Sequence, residues 1–220
     1  MKLTKNLYFF SEKGMMDSNT YVIKDKSSLL IDPGLTQFLP ALIGEMRQDG
    51  IDPKDIKFIA NTHLHGDHCW ANDAFKKLSG AEILLHPVQK QYWQAAAVQA
   101  SQFFGVAAVD FKEDRIMDND KLNLGETEIE LIPSPGHSPE SVCYYIPAEK
   151  ALICGDVIFN QNTGRVDLPG GSAAQLKASI ERLSQLDVEY LLPGHMDIVV
   201  GKENVKRNFD FVKQYVFGYL

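Results

Sequence analysis

Seven consecutive residues, Thr62-His63-Leu64-His65-Gly66-Asp67-His68, sit where an apolar run, Ile56 to Ala60, breaks off. A strand that ends in three imidazoles and a carboxylate must deliver them to the rim of a sheet, which restricts the architectures open to the chain. Imidazoles two residues apart on an extended segment fall on one side and can converge on a first cation. Asp67 and His68, beyond the flexible Gly66, can reach a second. Three further residues of the same kind lie at strand-to-loop junctions: His137 in Ser134-Pro-Gly-His-Ser138, Asp156 in Ile153-Cys-Gly-Asp156 and His195 in Leu192-Pro-Gly-His195. Pro and Gly ahead of the two histidines permit the sharp turns a ligand at the lip of a sheet requires. Five of the six histidines thus fall into one candidate site, and His86, before Pro87, reads as structural.

The rest of the chain supplies the elements that would carry such a rim. Strand-like text runs over Leu3 to Phe10, Thr20 to Lys24 and Ser28 to Asp32, the last two joined by a turn at Asp25-Lys26. Leu39, Leu42, Ile43 and Met46 fall at helical spacing with Gly50 as a stop. A second helix is expected over about Trp70 to Leu78, ending near Gly80, then a strand from Ala81 to Leu85 and a long helix from Pro87. That helix carries a wide apolar stripe, Tyr92, Ala96, Gln99 and Phe103 beside Trp93, Ala97, Ala100 and Phe104, read as core packing with an apolar lid or dimer surface as the sharper option. From Lys121 the text turns to strands at Lys121 to Leu124, Glu128 to Pro133, Ser141 to Ile146 and Lys150 to Cys154. Ser172 caps a helix with Leu176, Ile180 and Leu183 as its buried stripe. A strand from Val188 to Leu192 and a C-terminal helix marked by Val205, Phe209, Val212 and Val216 close the chain.

One internal echo bears on architecture. Tyr21-Val-Ile with Leu29-Leu-Ile-Asp32 resembles Tyr144-Tyr-Ile with Leu152-Ile-Cys-Gly-Asp156, each a hairpin ending in an acid. Two similar halves, each giving strands and then helices, pack most economically as two mixed β-sheets face to face with helices outside. The expected fold class is therefore α/β (α+β), a four-layer αββα sandwich.

Size and charge narrow the partners. At 220 residues with 45% hydrophobic and 23% charged residues the chain reads as one domain, 1–220, able to bury a sizeable core. The balance of 22 basic and 29 acidic residues, a net charge of −7, argues against a nucleic-acid partner and for a small-molecule substrate. No stretch approaches a membrane span, and the N-terminus lacks the apolar core of a signal peptide, so no membrane partner and a cytoplasmic location are expected. Cys69, Cys143 and Cys154 lack Cys-x-x-Cys spacing and read as free thiols. The apolar end, Val216 to Leu220, is expected to pack or to make a homodimer.

With those residues in view the chain resembles the metallo-β-lactamase superfamily, and within it the glyoxalase II-like (hydroxyacylglutathione hydrolase-like) branch. The likeness runs through Ile31-Asp-Pro-Gly34, His63 to His68, Pro135-Gly-His137, Gly155-Asp156, Gly164-Arg-Val-Asp-Leu-Pro-Gly-Gly171 and Pro193-Gly-His195. It implies the stacked αββα fold and two divalent metal ions. His63, His65 and His137 would hold the first, Asp67, His68 and His195 the second, and Asp156 would bridge them. Zinc is the first choice of metal, with iron or manganese as alternatives that the same ligands accept.

The resemblance implies a hydrolase using a metal-activated hydroxide, with Asp67 as the catalytic carboxylate that orients it and takes its proton. A small acyl thioester is the favoured substrate, since a thiolate leaves without a dedicated acid. Glyoxalase II enzymes carry a C-terminal extension whose basic residues grip glutathione, whereas here one helix follows His195, with Lys202, Lys206 and Arg207 as weak substitutes. A different thiol carrier is expected. The alternative is an iron-dependent persulfide dioxygenase with one iron on His63, His137 and Asp156, followed by a lactonase, a phosphodiesterase or a non-catalytic binding module. Asp32, in Asp-Pro-Gly, is read either as a plain turn or as a hydrogen-bond partner of a metal-binding histidine. Arg165 and Asp167 are read as a buried structural pair, with substrate ligands as the alternative.

Overall fold

Alternation along the central strands sorts their side chains into three cores and so fixes the layers. In the computed structural model, which describes residues 1–14, 16–94, 111–117 and 120–220, twelve strands form two six-stranded sheets. The first holds β1 (Leu7–Phe10), β2 (Thr20–Ile23), β3 (Ser28–Ile31), β4 (Ile56–Ala60), β5 (Glu82–Leu85) and β6 (Arg115–Ile116), in that order. The second holds β7 (Lys121–Asn123), β8 (Glu128–Pro133), β9 (Val142–Ile146), β10 (Ala151–Gly155), β11 (Tyr190–Pro193) and β12 (Val199–Val200), again in chain order. Both sheets are mixed: β3, β4, β5 and β6 run parallel, as do β10 and β11, and the remaining pairs are antiparallel.

Tyr21, Ile23, Leu29 and Ile31 point between the sheets, where they meet Val142, Tyr144, Ile146 and Ile153. Their neighbours Val22 and Leu30 point outward to a second core, while Cys143, Tyr145, Leu152 and Leu191 point outward to a third. Strands buried on both faces read as unbroken apolar runs, which is why their sequence shows little alternation. Helices cover the outer faces. Helix α1 (Leu39–Gln48), opened by Pro40, buries Leu39, Leu42 and Met46 on the first sheet, and α3 (Asn72–Ser79) adds Phe75. On the second sheet α4 (Ala173–Leu183) buries Leu176, Ile180 and Leu183, and α5 (Lys202–Phe211) buries Val205 and Phe209. Each such side chain contributes roughly 1.5–3 kcal/mol relative to an exposed position. The four-layer αββα order follows.

The expected elements appear with shifted ends, and a few differ in kind. The helix expected over Trp70 to Leu78 is two helices, α2 (Gly66–Cys69) and α3, broken at Trp70 and Ala71 and closed by Gly80 in the left-handed region. The motif His65-Gly-Asp-His68 therefore enters a helical turn instead of staying extended. The two-residue strands β6 and β12 carry too little pattern to be read from sequence. Residues 87–94 are helical. Trp93 packs on Phe111 with ring centroids 4.3 Å apart, as core packing requires, while Ala96, Ala97, Gln99, Ala100, Phe103 and Phe104 lie outside the described residues. Among the described residues no helix is long and apolar enough to cross a membrane. Cys69, Cys143 and Cys154 are free and buried. Val216, Phe217 and Leu220 pack against the outer core of the second sheet, while Tyr219 stays exposed.

The internal echo is visible in the pairing. Tyr21 lies opposite Ile31 and Ile31 opposite Ala60; Tyr144 lies opposite Ile153 and Ile153 opposite Leu192. Each half is thus a hairpin followed by a parallel strand, the second hairpin being one residue tighter than the first. Three residues beyond Ala60 and Leu192 come His63 and His195. The parallel pair is irregular in both halves, between Ser28 and Leu29 in the first and between Ile153 and Gly155, next to the acid, in the second.

Candidate metal centre

The carboxyl ends of β3, β4, β8, β10 and β11 arrive at one edge of the sandwich, and every sequence-selected ligand sits in the loop that leaves one of them or, for Asp67 and His68, in the short helix α2 that follows. Two glycines make the approach feasible. Gly136, at φ +148°, sets the His137 loop against the Leu176 backbone, where a Cβ has no room. Gly155, at φ +48°, lies against the Thr62 side chain, so the bulge before Asp156 closes onto the loop carrying His63.

All seven selected residues converge. The ligand atoms of His63, His65 and His137 lie within 4.8 Å of one another, as do those of Asp67, His68 and His195, and those of His63, His68 and Asp156. His63 Nε2 is 3.1 Å and His137 Nε2 2.9 Å from His65 Nδ1. Asp67 Oδ2 is 3.3 Å from His195 Nε2. Asp156 stands between the groups, with Oδ2 3.4 Å from His137 Nε2 and 3.5 Å from His195 Nε2, and Oδ1 3.3 Å from His68 Nε2. Nitrogen and oxygen ligands of a tetrahedral zinc ion stand about 3.4 Å apart, so these separations fit edges of a coordination shell.

The outer nitrogens of the rings are held by the protein, which turns the inner ones to the centre. Asp32 Oδ2 is 3.0 Å from His68 Nδ1, the Arg165 carbonyl 2.7 Å from His137 Nδ1, Glu12 Oε2 3.0 Å from His195 Nδ1 and Thr62 Oγ1 3.2 Å from His63 Nδ1. Such partners fix tautomer and ring orientation. Asp32 is completely buried at φ +55° and also accepts from Thr62 N (2.8 Å) and Thr62 Oγ1 (2.7 Å). Of its two readings the structure therefore shows the histidine partner. Buried His68 Nε2 and Asp156 Oδ1 have no hydrogen bond of proper geometry. Two such orphans facing each other are costly unless something else satisfies both, as a cation would.

The charge pattern points the same way. Burial, then neighbouring His68 and His65, hold His63 well below the usual imidazole pKa, and burial with His137 brings His65 down to about 3. Both are neutral donors. Burial opposes charge on His68 as well, but Asp156, Asp32 and Asp67 push it up to about 10. Against the same burial, Asp156 and the hydrogen bonds to Asp156 and Asp67 raise His195 to about 12. Asp67 and Asp156 are held below the carboxylate range despite burial, chiefly by His68. Two protonated imidazoles here take the place of positive charge that the carboxylates demand. The donor set fits a pair of divalent cations on chemistry, spacing and charge.

His86 stays outside the cluster, where its Nδ1 accepts from Val88 N at the start of a helix and burial lowers its pKa. Arg165 and Asp167 form an ion pair at 2.6 Å, but their side chains are 54% and 66% exposed, so the pair is not the buried one expected. Its loop contributes a backbone carbonyl instead. Lys202 and Lys206 pair with Asp187 and Asp210 on the outer surface, and Arg207 donates to Asn204. Sequence reading missed Glu12, an isolated acid 183 positions from the histidine it touches, and the Arg165 carbonyl, which any residue type could supply.

A family model described as the metallo-beta-lactamase superfamily matches residues 14–195. A probable metallo-hydrolase of Methanocaldococcus jannaschii is 34% identical over 186 residues, covering 82% of this chain and 88% of that one. A hydroxyacylglutathione hydrolase of Rhodospirillum rubrum is 26% identical over 200 residues, covering 90% of this chain and 66% of the relative. Among solved structures, a protein crystallised in a di-iron-bound form superposes with a TM-score of 0.75 at 26% identity, covering 94% of this chain and 98% of that one.

Proposed function

We propose a hydrolytic function from one premise: the chain belongs to the metallo-beta-lactamase superfamily, whose model spans residues 14–195. The reading is a metallo-hydrolase acting on a small acyl thioester. The observation that carries it is the placement of Asp156 between two groups of ligand atoms, each able to hold an ion. In this reading His63, His65 and His137 would hold one divalent cation and Asp67, His68 and His195 the other, with Asp156 standing between the two groups. Divalent ions held there would supply Lewis acidity, lowering the pKa of a water toward neutrality and drawing charge from a substrate carbonyl.

The chain's own residues do the rest. Asp67 is ionised and its side chain is 22% exposed against 8% for Asp156, so it faces the opening and can accept the proton of the attacking water. Asp32, Glu12 and the Arg165 carbonyl keep the imidazoles turned inward throughout the cycle. The water oxygen bonds to the thioester carbonyl carbon as one proton passes to Asp67, the C–S bond breaks with its electron pair on sulfur, and the departing thiolate or solvent takes that proton from Asp67. A thiolate departs unaided, which suits a centre whose side chains are imidazoles and carboxylates. The likeness to a hydroxyacylglutathione hydrolase supports this substrate class, and zinc is the first metal to try, ahead of iron and manganese.

Elemental analysis of the purified protein, paired with assays for thioester cleavage and persulfide-dependent oxygen uptake, tests the reading. Two ions per chain with thioester cleavage are expected. One iron with oxygen uptake overturns it in favour of a dioxygenase.

A further inference from the structure

Two buried tyrosines occupy the same place in the two halves and reach across to opposite halves. Tyr21, on β2, donates its hydroxyl to the Pro193 carbonyl at 2.7 Å, at the end of β11. Tyr144, on β9, donates to the Asn61 carbonyl at 2.9 Å, just beyond β4. Burial raises both hydroxyls well above the usual tyrosine pKa, so both keep the proton they donate. The residues two positions earlier repeat the arrangement through the backbone: Asn19 N donates to Gly194 O at 2.7 Å, and Val142 N to Thr62 O at 2.8 Å. The next residues in the chain are His195 and His63. Each half therefore clamps two successive carbonyls of the other half, immediately before its histidine.

We propose that Tyr21 and Tyr144 are crossed positioning residues, each setting the histidine of the opposite half and hence a different ion of the pair. Tyr21 serves His195 and the ion it shares with Asp67 and His68. Tyr144 serves His63 and the ion it shares with His65 and His137. The inference rests on the two-ion reading above. Each gripped carbonyl has a second donor, Asn19 Nδ2 on Pro193 and Gln89 Nε2 on Asn61, so removing one hydroxyl loosens the strand end without releasing it.

The test uses Tyr21→Phe, Tyr144→Phe and, as control, Tyr145→Phe. Tyr145 donates to the Asp187 carbonyl on the far side of the second sheet. Metal-free protein is titrated with Zn²⁺ against a chromogenic chelator, so that the two binding steps are resolved. Tyr21→Phe is expected to weaken one step about fivefold and Tyr144→Phe the other by the same factor. Tyr145→Phe lowers the melting temperature comparably and leaves both steps within about twofold. Both tyrosine variants weakening the same step, or neither step moving beyond the control, overturns the inference.

If the wild type takes a single ion, the two-ion reading fails separately, and the metal-free protein decides the inference. Tyr144→Phe must then shift the imidazole ¹⁵N resonances of His63 and spare His195, and Tyr21→Phe must do the reverse. Shifts that are absent, or equal at both histidines, overturn it.

Discussion

His63 and His195 stand three residues beyond paired positions of the two halves, Ala60 and Leu192, yet their surroundings are opposite. His63 lies among imidazoles, with ring centroids of His65, His68 and His137 at 4.6, 4.1 and 4.9 Å, and is held neutral. His195 lies among Asp67, Asp156 and Glu12 and is held protonated. The acids that end the two hairpins diverge as well. Asp32 follows Ile31 directly, and its oxygens are taken by Thr62 and His68. Asp156 comes after the bulge that follows Ile153 and keeps an oxygen without a hydrogen bond. A repeated scaffold thus fixes where the chain reaches the rim, and a bulge decides whether a carboxylate serves the protein or the centre.

Removing each acid in turn breaks or sharpens that contrast. Asp156→Ala takes away the group that the proposed reading places between both ions, so both ions should be lost on dialysis, and thioester turnover should fall by more than the ~100-fold that marks the upper range for an outer partner. Elemental analysis checks it, and retention of two ions would show that Asp156 is not shared. The opposed imidazoles give the next effect. In the metal-free centre His63 and His65 are already neutral near pH 7, whereas His68 and His195, at about 10 and 12, must each give up a proton. Raised pKa values mean protons held below them and displaced on loading, so the ion at Asp67, His68 and His195 should bind more weakly as pH falls from 8 to 6. The limit for two protons is about 100-fold per pH unit. The ion at His63 and His65 should not share that slope. Chelator competition at several pH values, with calorimetry in two buffers for proton release, measures both; equal slopes would erase the contrast.

Asp32→Asn keeps an acceptor for Thr62 but removes the charge behind His68, and should cost roughly 10–100-fold in affinity for the ion on His68. No change would reduce Asp32 to a turn residue. Sequence leaves both readings of Asp32 open, because Asp-Pro-Gly specifies a turn whether or not the side chain is employed. The clustering of the seven side chains was legible for the opposite reason: imidazole just after a strand has few structural uses, and five of them follow strand ends. The four layers were legible through the echo of Tyr21 to Asp32 in Tyr144 to Asp156, since each apolar hairpin ending in an acid becomes the middle of one sheet. What escaped depended on long-range contact or on backbone. Glu12 meets His195 only once the sheets pack, the Arg165 carbonyl has no side-chain signature, and the exposure of the Arg165–Asp167 pair is set by how its loop lies on the fold.

Glu12 supplies the smallest effect and the finest test of the contrast. It stands behind His195 as Asp32 stands behind His68, each with a carboxylate oxygen 3.0 Å from Nδ1. Geometry alone would rank the two equally. Burial does not: the Asp32 side chain is fully buried, while that of Glu12 is 36% exposed, where water and salt screen its charge. Glu12→Gln retains an oxygen that can accept from Nδ1 and loses a screened charge, so affinity for the ion on His195 should fall only about threefold, well below the cost of Asp32→Asn. Raising the salt concentration should shrink the Glu12→Gln effect further and leave that of Asp32→Asn nearly unchanged. A larger loss from Glu12→Gln than from Asp32→Asn would mean that burial does not set the strength of these partners, and that the two halves differ for some cause other than the electrostatics of their rims.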